Sequence, residues 1–412
     1  MRTFGKRAIC VAICCLPAGH AAALDAQAFV GRLETALELN FGLDFAFGPM
    51  KHKGDVIVVS GLSVGDFCPY EGTQPFQVEG ELRFIGISED ADGAYRAQAA
   101  TLAGFEATFE ETGDDIYLSV DGLELSDIYL AAGQMRITQA AAVTRHLRID
   151  GIEAGVGGYP ILSAEALEFN SSHTPEPGEG DLTRISDVLT VAGMEFDVAT
   201  LLDLLWVPPE PVAAIEDMGL GTIKANLTLS QDWALTQDRE SSAAITFSIE
   251  DGGRLTLDLG WRGYTAEVWQ EATAGLHEIY SSTDCSNSAL LLAADEEALR
   301  LLRDAIELTR ASLRYRDESL AGKLITLAAD AEAADVGTVR RMLAKSITRQ
   351  LAALGLGDHA AAVTAFLADP RGFLISTNLE EPVRFSALAD AMASGGGFAG
   401  LLDVTAVANP QD

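Results

Sequence analysis

The stretch closest to a catalytic motif is Gly61-Leu-Ser63-Val-Gly65, which matches the G-x-S-x-G nucleophile elbow. That elbow needs a strand before the serine and a helix directly after it, so that the hydroxyl is exposed beside an oxyanion hole. A strand pattern precedes Ser63, but the following Asp66-Phe-Cys-Pro-Tyr disfavours a helix. His277 and His359 are available as bases, and nothing in the sequence places them near Ser63. A secreted serine hydrolase using Ser63 is therefore the alternative hypothesis.

Metal and cofactor motifs give no stronger signal. The segment Ser-Glu-Asp-Ala-Asp-Gly at 88–93 resembles the start of a calcium loop, but Ala99 stands where the bidentate Glu is required, so a hairpin turn is predicted. No histidine pair has zinc-site spacing among His52, His146, His173, His277 and His359. There is no phosphate-binding glycine loop, C-x-x-C motif or dinucleotide fingerprint. The sequence predicts no metal and no cofactor.

The first 23 residues have the layout of a secretory signal peptide. Basic residues at Arg2, Lys6 and Arg7 precede a short apolar run and Pro17, and Ala23 ends a stretch of small residues. The run is shorter than the roughly 20 residues that a membrane-spanning helix needs. We predict cleavage after Ala23 and a mature chain without a membrane-spanning segment. The predicted location is the periplasm, with the extracellular space as the alternative.

Cleavage would leave two cysteines, Cys68 and Cys285. In an oxidising compartment two cysteines predict one disulfide, and two separate buried thiols are the alternative.

The net charge of −33 disfavours two classes of partner. A chain this acidic is repelled by phosphate backbones and by anionic lipid surfaces, so nucleic-acid binding and polybasic membrane docking are disfavoured. Solubility is the simplest explanation of the charge. With 48% hydrophobic residues, a chain of 412 residues can bury a large core.

Most of the chain up to residue 285 alternates apolar and polar residues, which predicts long antiparallel strands after an N-terminal helix at 24–39. A glycine recurs inside these strands at Gly61, Gly122 and Gly151, where it is typical of a bulge or bend. The polar, proline-containing stretch 171–181 is predicted to be a loop that divides the sheet region. Strands are predicted again from 222, ending at an aromatic segment that contains Trp261 and Trp269. These two side chains are candidate ligand contacts, although core packing explains them better.

From residue 286 the apolar period becomes helical, with a few strands in between. The stretch 311–330 reads as a strand, a helix cap at Asp317 and an amphipathic helix. Arg314 and Arg316 in that strand are candidates for binding an anionic headgroup. The predicted fold class is therefore α+β: a long, curved, mostly antiparallel sheet over 24–285, then a helix-rich α+β domain over 286–412.

Three features together are similar to those of uncharacterised exported envelope proteins of alphaproteobacteria, with an AsmA-like or YdgA-like texture. They are the signal-like start, the successive β-Gly-Leu strands with the segment Gly-Leu-Gly-Thr-Ile-Lys-Ala-Asn-Leu-Thr-Leu at 219–229, and the tail at 312–330. The resemblance implies long β sheets associated with the outer membrane and lipid handling. From its short apolar run, this sequence is expected to lack the N-terminal anchor helix of those relatives.

The functional expectation is a soluble periplasmic, non-enzymatic scaffold or carrier. It would bind a lipid, another apolar ligand or an envelope protein along a sheet face. An extracellular interaction module is a further alternative.

Overall fold

The computed structural model describes residues 24–41, 43–65, 75–111, 114–133, 135–175, 182–205, 209–281, 288–353, 355–393 and 398–410. Cys68, Cys285 and the signal-like segment lie outside these residues. The strands are β1 Asp44–Phe47, β2 Met50–Lys53, β3 Val56–Gly65, β4 Phe76–Ile85, β5 Ser88–Glu89, β6 Tyr95–Glu111, β7 Asp114–Leu130, β8 His146–Val156, β9 Tyr159–Thr174, β10 Arg184–Asp197, β11 Thr222–Ala234, β12 Ser241–Ile249, β13 Gly253–Arg262, β14 Glu307–Asp317, β15 Gly372–Thr377, β16 Val383–Arg384 and β17 Val404–Ala408.

The helices interrupt this series mainly in the second half of the chain. They are α1 Ala26–Phe41, α2 Ile137–Ala140, α3 Val198–Leu204, α4 Pro209–Asp217, α5 Ala266–Ser281, α6 Ser288–Ala305, α7 Leu320–Ala331, α8 Val336–Ala353, α9 Ala360–Ala368, α10 Phe385–Ala393 and α11 Phe398–Leu402, with a 3-10 turn at Gly357–His359. No helix among the described residues is long and apolar enough to cross a membrane.

All seventeen strands belong to one antiparallel sheet. From β6 to β14 each strand pairs with the next one in the chain. At the N-terminal end β1 and β2 both pair with β3, which leads through β4 to β6. At the other end β15 pairs with β14 and carries β17 at its far side. The predicted α+β class with a large antiparallel sheet is confirmed, and the C-terminal strands extend that sheet.

Two of the three glycines of the recurring motif, Gly61 and Gly151, adopt the special backbone conformation that the motif predicts, whereas Gly122 lies in regular strand pairing. Gly61 and Gly151 have positive φ angles of 87° and 58°, which only glycine adopts without strain. The register is irregular between Ser60 and Leu62, and a Cβ at Gly151 would lie 2.0 Å from Asp121 Oδ2. At Gly61 the requirement for glycine comes from the backbone conformation alone, whereas at Gly151 a Cβ would also collide with the Asp121 side chain.

Two predicted elements are wrong in part. Residues 171–174 belong to β9, because Thr174 pairs with Arg184 and Ser171 with Asp187 across the sheet. The predicted strand at 264–269 is instead the start of α5. A turn at Gly263 ends β13, and the Thr265 hydroxyl accepts a hydrogen bond from the Val268 N–H at 3.3 Å, which caps the helix.

The junction at 311–330 is confirmed as a strand followed by a helix, namely β14 and α7. Ser319 occupies the N-cap position and makes no side-chain cap bond. The Asp317 carboxylate instead accepts the Ala321 N–H at 2.8 Å and also the Tyr315 hydroxyl at 2.6 Å. The N-cap predicted at Asp317 is therefore wrong by two residues, although the Asp317 side chain does stabilise the helix start.

Candidate functional site

The strand register aligns apolar side chains in two rows that cross the whole sheet. Directly paired residues of neighbouring strands point to the same face, as do residues two apart in one strand. The first row is Met50, Val59, Leu82, Leu102, Leu123, Ile149, Leu167, Val191, Leu227, Phe247, Leu255, Tyr315, Phe373 and Ala408. The second row is Ile57, Phe84, Ala100, Leu125, Leu147, Phe169, Leu189, Leu229, Ile245, Leu257, Leu313, Ile375 and Ala406.

The opposite face is polar over the same strands. Its corresponding row includes Arg83, Thr101, Glu124, Arg148, Glu168, Thr190, Thr228, Thr246, Thr256 and Arg314. Arg148 forms ion pairs there with Glu168 and, at 2.7 Å, with Asp150. The sheet thus has one hydrocarbon face and one solvated face.

The N-terminal part of the apolar face is covered by α1. Phe29 of that helix packs edge-on against Phe84 with ring centroids 5.2 Å apart, and Ile57 and Val59 beneath it are both 0% exposed. Leu82 and Leu102 belong to the same core. This section of the face is an ordinary protein interior.

The C-terminal margin of the face is covered by the layer of α7, α8 and α9. Phe366 of α9 contacts Tyr315 and Phe373, with centroid distances of 6.1 and 5.6 Å. Ile325, Val339 and Leu367 form the buried core of this layer.

Between these two covers the apolar face is open. Each side chain of the two rows from β8 to the middle of β14 keeps solvent exposure, and Ile245, Leu255 and Leu313 are 37%, 39% and 37% exposed. We call this section the open apolar face; its members are Leu147, Ile149, Leu167, Phe169, Leu189, Val191, Leu227, Leu229, Ile245, Phe247, Leu255, Leu257 and Leu313. Its seven strands span about 29 Å at ~4.8 Å per interstrand step, with the rows about 7 Å apart.

A buried polar cluster lies on the same face beside these rows. The Ser171 hydroxyl donates to Asp187 Oδ1 at 2.5 Å, and His173 Nε2 lies 3.0 Å from the same oxygen of Ser171. His173 is 5% exposed, and burial lowers its pKa to about 4, which keeps the ring neutral. Burial raises the pKa of the Asp187 carboxyl, while the Ser171 hydrogen bond lowers it. Ser171 stands between the other two side chains, whereas a catalytic triad has histidine in the middle.

The aromatic residues singled out from the sequence do cluster, but as packing residues. Trp233 contacts Trp261 at 5.2 Å and Tyr264 at 4.9 Å, and Tyr264 contacts Trp269 at 5.9 Å. The cluster packs on the buried Ile185 and Leu235. Burial raises the pKa of the Tyr264 hydroxyl to about 12.

Ser63 lies inside the regular strand β3, paired with Ala46 and Gln77. Its hydroxyl accepts a hydrogen bond from the Gln77 side-chain amide at 2.9 Å. Within the described residues, no histidine forms a hydrogen bond with this hydroxyl. The strand that contains Ser63 extends to Gly65, so the serine does not sit on the sharp turn that an elbow requires.

Arg314 and Arg316 are exposed. Arg314 pairs with Thr256 and Leu374 on the polar face, and Arg316 is two residues further along the same side of β14. Neither guanidinium lies on the open apolar face.

No group of three His, Cys, Asp or Glu side chains within the described ranges could hold a metal ion. A shallow acidic pocket lies over the glycine bends, lined by Asp121, Glu165, Glu195 and Lys224. Lys224 and Glu195 already pair there at 2.7 Å.

Sequence reasoning predicted a sheet face for binding but did not locate it. The alternation within strands was visible, whereas the register that aligns fourteen apolar residues was not. The cluster of Ser171, His173 and Asp187 was missed because two of its members fall in the stretch predicted as a loop.

Comparison with known proteins adds one match. A family model with the description "Uncharacterized protein" matches residues 246–409, which is less than half of the chain. The matched segment runs from the middle of β12 to the end of β17 and contains the layer of α7, α8 and α9. No curated protein matches this chain.

Proposed function

We propose that this protein is an exported, non-enzymatic carrier that binds the acyl chains of a lipid along the open apolar face. The observation that supports this function most directly is the uncovered section of two unbroken apolar rows, between parts of the same face that helices bury. A periplasmic location agrees with the signal-like N-terminal segment. The N-terminal helix α1 would then stabilise the scaffold, while the middle strands supply the binding surface.

A hydrocarbon chain fits this surface better than a peptide strand does. The face of a sheet offers no backbone donors or acceptors, because these lie in the plane of the sheet and pair with neighbouring strands. A peptide strand binds at a sheet edge for that reason. An acyl chain has no polar groups along its length, and the rows contain none either from β8 to β13.

The dimensions also agree. One leaflet of a bilayer core is about 15 Å thick, half of roughly 30 Å, and an extended acyl chain is of that length. The ~29 Å of open rows therefore accommodates a full chain lying across the strands. Full burial contributes about 0.8 kcal/mol per CH₂. An acyl chain that lies with one side against the face gains roughly half of this free energy per CH₂. Binding would then be weak enough to be reversible, as a carrier requires.

The test is binding of a fluorescent, uncharged monoacylglycerol to the purified protein and to two variants. Ile245→Asp places a charge in the middle of the open apolar face. Thr246→Asp places the same charge on the adjacent residue, which points to the polar face, and serves as the matched control. We expect at least a tenfold loss of affinity for Ile245→Asp and less than twofold for Thr246→Asp, with unchanged circular dichroism for both.

Lipid extraction of protein purified from its own envelope, followed by mass spectrometry, provides an independent measurement. Equal binding by the two variants, or a wild-type protein that neither binds the probe nor carries lipid, would refute the proposal.

A further inference from the structure

Helix α8 is an electrostatic exception in this acidic protein. Its sequence, VGTVRRMLAKSITRQLAA, carries Arg340, Arg341, Lys345 and Arg349 and contains no Asp or Glu, although the whole chain has a net charge of −33. The four cations of α8 therefore have no carboxylate within their own helix. The helix therefore presents a local positive potential.

Three of these cations form one line on the exposed side of the helix. Arg341, Lys345 and Arg349 are spaced i, i+4, i+8 and all three are exposed. We call them the cationic stripe; it is about 12 Å long at 1.5 Å per residue. Arg340 points elsewhere and donates to the Ala368 carbonyl at 3.2 Å. Met342, beside the stripe, is 52% exposed.

The opposite side of α8 is committed to the protein interior. Val339 is buried, and Leu343 and Ile347 pack with it against α7 and α9. An amphipathic helix that inserts in a membrane needs a free apolar side. Attachment through α8 would therefore rest on charge and on Met342 alone.

Of the three cations in the stripe, Arg341 is the one that lies near a carboxylate among the described residues. Arg341 donates to the Thr338 hydroxyl at 2.8 Å, and Thr338 in turn bonds Asp335. Hydrogen bonds from Thr338, with a smaller contribution from Arg341, lower the pKa of the Asp335 carboxyl. No ion pair is found for Lys345 or Arg349 within the part of the chain that the structure describes.

We propose that the cationic stripe docks the protein on an anionic lipid surface, an inference that rests on the carrier function proposed above. α8 packs on α9, whose Phe366 contacts Tyr315 and Phe373 at the C-terminal margin of the apolar face. Docking through α8 would bring that margin to the membrane that supplies or receives lipid.

The overall negative charge does not prevent such contact at physiological salt. Charges more than about 8 Å away are screened at that ionic strength. Each Lys or Arg near an anionic leaflet improves partitioning about fivefold. The stripe is thus a local attractive patch whose effect weakens as salt rises.

The test is co-sedimentation of the exported chain with vesicles of phosphatidylcholine alone or of equimolar phosphatidylcholine and phosphatidylglycerol. The variant is Lys345→Glu/Arg349→Glu. Its matched control is Lys51→Glu/Lys53→Glu on β2, where both side chains are exposed and the change in net charge is the same. We expect salt-sensitive binding of wild type and control to the anionic vesicles only, and a loss of roughly twentyfold or more for the α8 variant.

Equal losses in the α8 variant and the control would overturn the docking site, as would wild-type protein that ignores anionic vesicles. Monoacylglycerol binding, measured on the same variants, separates the two proposals. If it is retained while vesicle binding is absent, docking alone fails; if it is absent in wild type, the carrier function fails.

Discussion

The apolar rows predict that one substitution has very different effects at two positions of the same row. Ile57 and Ile245 both belong to the second row, but Ile57 is 0% exposed beneath α1 and Ile245 is 37% exposed on the open apolar face. Replacing each by alanine removes the same atoms. Any difference in the free energy of unfolding therefore reports whether a helix covers the site.

For Ile57→Ala we expect a loss of about 2–5 kcal/mol, because transfer of the deleted methylene and methyl groups and the cavity left under α1 both contribute. At Ile245 no enclosed cavity forms, and solvent already reaches more than a third of the side chain. The expected loss there is about 1 kcal/mol or less.

Urea unfolding followed by far-UV circular dichroism measures the free energy of unfolding of both variants. An equal slope of this free energy against urea concentration shows that wild type and variants expose the same surface on unfolding. Equal losses would show that the middle of the face is covered in solution, which contradicts the open apolar face. Addition of monoacylglycerol should raise the free energy of unfolding of the wild type. The increase should be smaller for Ile245→Ala, because residue 245 lies on the open apolar face that is proposed to bind the ligand.

Two further predictions concern the polar cluster and two glycines, Gly104 in β6 and Gly31 in α1. The pKa of His173 is about 4 in the folded protein against 6.5 when unfolded, so the unfolded state binds the extra proton and stability should fall as pH decreases from about 6.5 to 4. His173→Leu should flatten this fall in urea midpoints compared at pH 7 and 4.5, and an unchanged slope would contradict it. Gly104→Ala should cost about 1–3 kcal/mol, because its Cβ would lie 2.6 and 2.7 Å from the backbone oxygens of Val120 and Asp121. Gly31→Ala, in α1 with open space around it, should instead gain about 0.5–1 kcal/mol in thermal or urea unfolding, and the same sign for both substitutions would refute the close approach at Gly104.

Much of the fold could be predicted from alternation and turn residues. In β12 and β13, Ile245, Phe247, Leu255 and Leu257 alternate with polar residues, and Asp251 with φ of 53° marks the turn between them. Local pattern is sufficient for such hairpins because the partner strands are adjacent in the chain. It also identified α1 and the junction of β14 with α7.

The candidate site could not be located in the same way. Whether a helix covers Ile57 or leaves Ile245 open depends on the direction in which α1 and α9 pack, and the sequence of a single strand does not specify that direction. His173 shows the second difficulty: its segment is polar, and only pairing with β10 makes it a buried strand. Helix α5 begins after a turn at Gly263 and a cap at Thr265. The alternating aromatic residues around these positions resemble a strand, so the sequence pattern predicted a strand instead.

The order of strand pairing has a consequence for how the chain reaches its native state. From β6 to β14 every strand hydrogen-bonds to its successor, so the sheet can grow by adding each new strand to the edge formed just before it. The connections from β8 to β9 and from β12 to β13 are short, which makes these hairpins cheap in closure entropy and favours fast pairing, whereas those from β7 to β8, β10 to β11 and β13 to β14 contain helices. A chain that emerges N-terminus first during synthesis could fold as it appears, beginning on the core that α1 organises and finishing with β17.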